Sequence, residues 1–72
     1  MINFNSIKVG DKLVYLGGGN YSFPKGHIVC VNEVDYDFIL GRSDEFLVGI
    51  QKHSTTFGYQ FWSKMRTRRI VL

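Results

Sequence analysis

Residues 27–50, HIVCVNEVDYDFILGRSDEFLVGI, decide the fold. Three runs rich in β-branched and aromatic side chains, 27–34, 38–41 and 46–50, are separated by two short turn segments, Asp35-Tyr36-Asp37 and Arg42-Ser43-Asp44-Glu45. Strand-like runs recurring at about eight to ten residues, each closed by Asp or Ser turn chemistry, mark the meander of a small barrel or sandwich. In His27-Ile28-Val29-Cys30-Val31-Asn32-Glu33-Val34 apolar residues fall on both parities, which predicts a strand buried on both sides or strongly bent. Cys30 reads there as a small apolar core residue.

Upstream of this block, Val9-Gly10-Asp11 is a turn signal leading into a first strand, Lys12-Leu13-Val14-Tyr15-Leu16. Gly17-Gly18-Gly19-Asn20 ends it, because these residues tolerate positive φ and hold no ladder. Tyr21-Ser22-Phe23-Pro24-Lys25-Gly26 completes a loop whose proline lacks the N–H that a central strand needs. Downstream, 51–56 is polar and Phe57-Gly58-Tyr59-Gln60-Phe61-Trp62 alternates aromatic with small or polar residues until its last pair. Ser63-Lys64-Met65 suits a single 3-10 turn, and 66–72, rich in arginine and β-branched residues, suits a last strand. A helix over 61–69 is the alternative, disfavoured by Thr67 and the β-branched tail. The expectation is all-β: one domain over 1–72, its five short strands closed into a barrel because open edges invite aggregation.

Composition agrees. The 72 residues include no alanine, eight glycines, sixteen Val, Ile or Thr and eleven aromatics, a mixture that disfavours helix and favours strand. The 44% hydrophobic share is too high for a disordered tail. No apolar run approaches the roughly 18 residues of a membrane span, and MINFNSIKVGDK lacks the regions of a secretory signal. One cysteine forms no internal disulfide and suits a reducing, cytoplasmic setting.

Charge is segregated. Residues 1–51 sum to −2, with all six acids; 52–72 sum to +5 with none, through Lys52, Lys64, Arg66, Arg68 and Arg69. Concentrated positive charge attracts polyanions, although acidic turns packed nearby would neutralise it. Tyr59, Phe61 and Trp62 interleave with these cations, and single strands are bound by cations for phosphates and flat rings for bases. The candidate contact residues are therefore Lys52, Tyr59, Trp62, Lys64, Arg66, Arg68 and Arg69, with Tyr21 and Phe23 from the long loop. Neighbouring strand residues face opposite ways, so Phe61 and Trp62 are not expected to be buried together.

Other chemistries fit poorly. Gly17–Gly19 is not followed by the helix that a phosphate-binding loop opens. His27, Cys30 and His53 fall short of the four soft ligands of a structural zinc, and His27 and Cys30, three apart, are expected on opposite faces of a strand. His53-Ser54 lacks a buried acid to orient the imidazole. No metal, cofactor or catalytic residue is expected.

The pattern Ile7-Lys8-Val9-Gly10-Asp11-Lys12-Leu13-Val14-Tyr15, followed by Pro24-Lys25-Gly26-His27-Ile28-Val29-Cys30-Val31, resembles an SH3-like barrel of the kind encoded by bacteriophages. It is more distantly similar to the KOW modules of ribosomal and transcription-elongation proteins, at Gly26, Ile28 and Val29. The resemblance implies the barrel fold and a host cell's cytoplasm; with the charge and the rings, the expectation is a non-enzymatic binding module. Two functions stay open: a module acting on nucleic acid or the transcription apparatus, or an effector that docks on a host enzyme and inhibits or redirects it through Tyr21, Phe23 and Trp62. A monomer or weak homodimer is expected.

Overall fold

In the computed structural model, which describes residues 3–44 and 46–65, the three runs of 27–50 form the expected meander. With β1 (Lys12–Tyr15), β2 (Ile28–Val34), β3 (Phe38–Arg42), β4 (Leu47–Gln51) and β5 (Trp62–Lys64), the chain makes one antiparallel sheet in the order β4-β3-β2-β1-β5. The all-β, five-stranded class read from the sequence is the one observed. Among the described residues the helical pieces are two 3-10 turns, Phe4–Ser6 and Tyr59–Phe61, and no helix is long and apolar enough to cross a membrane. At one end of the sheet, β4 is bridged through Gln51 to Gly58, just before the second 3-10 turn, and there the Gln51 N–H donates to the Phe57 carbonyl at 2.9 Å.

The period-two rule places Leu13 and Tyr15 of β1, Val29 and Val31 of β2, Ile39 of β3, and Val48 and Ile50 of β4 on one face, all buried. Phe4 and Ile7, delivered by the first 3-10 turn, and Trp62 of β5 complete this core. β2 is thus bent and buried on one face only. The register shifts between Val31 and Glu33, the signature of a bulge, and sets Val34 opposite the buried Ile39. Ile28 and Cys30 point outward, and Cys30 is an exposed free thiol instead of the core residue expected.

The C-terminal part departs most from the sequence reading. The 3-10 turn lies at Tyr59–Phe61, four residues before its expected place, and Ser63 and Lys64 belong to β5. Gly58 and the aromatic residues after it turn the chain so that Trp62 drops between Tyr15 and Tyr21, with centroids 5.3 and 5.5 Å away. Extended pairing of Trp62, Ser63 and Lys64 with Tyr15, Val14 and Leu13 overturns the helix alternative over these residues. The last strand expected at 66–72 lies outside the described residues.

The glycine-rich loop is tied down by contacts. Gly19 has φ +67°, and a Cβ there would meet the Phe61 ring at 2.8 Å and the Thr56 carbonyl. The Tyr15 hydroxyl donates to the Gly18 carbonyl, and the Asn20 N–H donates to the Thr56 carbonyl at 2.8 Å. Gly41 of β3 meets a different constraint, since its Cβ would lie 2.6 Å from Cγ2 of Val29. Gly41→Ala is expected to destabilise the protein by about 1–3 kcal/mol through overpacking. Adding Val29→Ala makes room for the new methyl, so the double variant should lose less than the sum of the singles; urea titration of all four proteins measures the coupling.

Candidate functional site

Among the described residues, those proposed as contacts from sequence do not form one surface. Trp62 is fully buried and cannot touch a partner. Its place in the β1–β5 pair puts it on the same face as Tyr15, and that face is the core. Tyr21 is half-buried; its hydroxyl lies 2.8 Å from both the Gly49 and Phe57 carbonyls, tying the loop to β4. Phe23 stacks on His27 with centroids 4.4 Å apart and planes 2° from parallel. Tyr59 packs edge-on against Phe4 at 5.8 Å. The solvent-facing ring of the 57–62 segment is Phe57.

The cations are also partly engaged. Nζ of Lys52 lies 5.8 Å from the Phe4 ring centroid and 5.7 Å from that of Tyr36. Such an arrangement of cation and rings is worth about 0.5–1 kcal/mol near the surface. Nζ of Lys64 is 3.1 Å from the Asp11 carboxylate, so it is an ion-paired residue of β5. Arg66, Arg68 and Arg69 lie outside the described residues. The Met65 N–H donates to the Lys12 carbonyl at 2.8 Å, and the three arginines follow Met65 in sequence.

What the sequence did not reveal is a groove on the outer face of the sheet, about 860 Å³ and open to solvent. Lys12, Ile28, Cys30, Asn32 and Arg42 come from β1, β2 and β3; His27 comes from the end of the long loop, and Ser43, Asp44 and Phe46 from the β3–β4 turn. Register makes Lys12 the partner of Cys30 and Cys30 the partner of Arg42. One row across three strands therefore reads cation, thiol, cation. His27 and Cys30 both line this groove, against the expectation that they diverge, because His27 precedes β2 and so escapes its alternation. The Phe46 ring is 53% exposed and meets Phe23 edge-on at 5.9 Å. Nε2 of His27 and Oγ of Ser43 are buried without a hydrogen-bond partner among the described residues.

Chemically, this groove offers two cations, one carboxylate at Asp44, apolar surface and an exposed ring. Among the described residues no three His, Cys, Asp or Glu side chains cluster as metal ligands. A second, smaller cleft lies between the long loop and β4, lined by Tyr21, Phe23, Leu47, Gly49 and Phe57.

Asp11 organises the edge beside the groove. Its carboxylate accepts the Lys8 N–H at 2.8 Å and pairs with Lys64, and these two contacts, the backbone bond first, hold its carboxyl below the ordinary value of 3.8. A depressed folded value means that the unfolded chain binds the proton more tightly. The stabilisation is present above pH 3.8 and is lost as pH falls through the folded value. Asp11→Asn should lower stability at neutral pH and flatten the acid limb below pH 3.8, read as urea midpoints across a pH series. Comparison with protein-family models, curated proteins and solved structures finds no match to the chain.

Proposed function

We propose that this protein is a non-catalytic binding module for nucleic acid. The observation that carries the reading is the concentration of five cations and no acid in residues 52–72. A concentration of cations favours phosphate backbones through counterion release, independently of base sequence. The resemblance to SH3-like phage proteins extends the proposal to transcription or genome handling in the cytoplasm of a host cell.

A second reading is favoured by the smaller cleft, where Leu47 is 65% exposed beside the rings of Tyr21, Phe23 and Phe57. An apolar anchor from a protein partner, such as a host enzyme, would fit there, as aromatic residues dominate interface energetics. Under this reading a stoichiometric partner survives nuclease treatment and is lost on Leu47→Glu.

The nucleic-acid reading predicts retention of labelled DNA or RNA at low salt, with affinity falling linearly on a logarithmic salt scale. Replacing Arg66, Arg68 and Arg69 together by Ala should weaken binding for all sequences and reduce the salt slope by about 2 for single strands. An absence of retention at low salt for both DNA and RNA refutes it.

A further inference from the structure

Resting on the nucleic-acid reading, we infer that the outer groove is the seat of an unpaired strand, with Lys12 and Arg42 holding its phosphates and a base laid on Phe46. The two cations stand in one row with Cys30 between them, two strand spacings or about 10 Å apart. Side chains as long as Lys and Arg can reach neighbouring phosphates of an extended strand from such positions, or converge on one. Beside the row lie Ile28 and Phe46, whose side chains face solvent from the sheet and the β3–β4 turn.

This combination discriminates between forms of nucleic acid. A duplex presents phosphates outward and hides the faces of its bases, so it could use Lys12 and Arg42 but would leave Phe46 and Ile28 without a partner. An unpaired strand offers both charge and exposed π faces, and stacking on an aromatic side chain is tolerant of base identity. The site and the smaller cleft share no lining residue, and Phe23 of the cleft packs against His27 and Phe46 of the groove. Phe46 is held from behind by Phe23, which in turn is stacked on His27, so the ring is propped in place before any ligand arrives.

Cys30 supplies an internal reporter, because its exposed thiol sits between the two cations and is the only cysteine in the chain. The experiment uses the full chain with a labelled oligothymidylate, a duplex of the same length, and maleimide alkylation of Cys30. Expected are tighter binding of the single strand than of the duplex, and slower alkylation when the single strand is saturating. Phe46→Ala should weaken single-strand binding roughly 5- to 100-fold while leaving duplex binding nearly unchanged, and Lys12→Gln with Arg42→Gln should weaken both.

Alkylation of Cys30 at the same rate with saturating oligothymidylate would overturn the groove as the seat while leaving the broader reading intact. Equal affinity for duplex and single strand, with equal protection, would overturn the preference for an unpaired strand. Failure of both nucleic acids to bind removes the underlying reading and this inference with it.

Discussion

The packing of Trp62 against Tyr15 is the contact on which the rest of the molecule depends. The two are register partners across β1 and β5, and both are buried. Buried aromatic rings each remove about 150–250 Å² from water, more than any of the valines around them. Tyr21 then closes over the pair, 5.4 Å from Tyr15 and 5.5 Å from Trp62, and its hydroxyl reaches the carbonyls of Gly49 and Phe57. One aromatic cluster thus joins β1, β5, the long loop and the edge of β4, elements that no ladder connects as a group. Phe61 extends it by covering Gly18 and Gly19, which explains why side chains are excluded at those two positions.

With the aromatics occupied in this way, the surface available for recognition differs from what a list of rings and cations suggests. Most of the rings near the C-terminal cations face inward, and Lys64 and Lys52 have partners of their own within the chain. Two cations, Lys12 and Arg42, and one exposed ring, Phe46, meet instead on the opposite, solvent side of β1, β2 and β3 and at the β3–β4 turn. Core and groove are therefore the two sides of the same strands. Leu13 and Val29 build the interior, and Lys12 and Cys30 beside them build the groove.

Legibility followed the range of the interactions involved. β2, β3 and β4 were readable to within a residue or so because turn chemistry and apolar runs are local properties of 27–50. Local signals also marked the Gly10 turn, where the Asp11 N–H donates to the Lys8 carbonyl at 3.0 Å. The bulge in β2 was not readable, since it arises from pairing with β3; Cys30 faces outward by simple alternation between the buried Val29 and Val31, in a strand whose two apolar parities left the buried face ambiguous. Trp62 looked like an interface residue by composition and became core through its pairing with Tyr15, 47 positions earlier in the chain. Lys12 and Arg42 are likewise remote in sequence and become neighbours only through two register assignments that pass through Cys30.

The burial of Trp62 also decides what light can report. It is the sole tryptophan, with no solvent exposure, and it lies on the inner face of the sheet while the groove lies on the outer one. Its emission therefore follows the opening of the core and is insulated by a full layer of strands from events in the groove. Intrinsic fluorescence becomes a clean gauge of foldedness for any variant of Lys12, Arg42 or Phe46, one that can be read in the same cuvette without confusing loss of a ligand with loss of the fold.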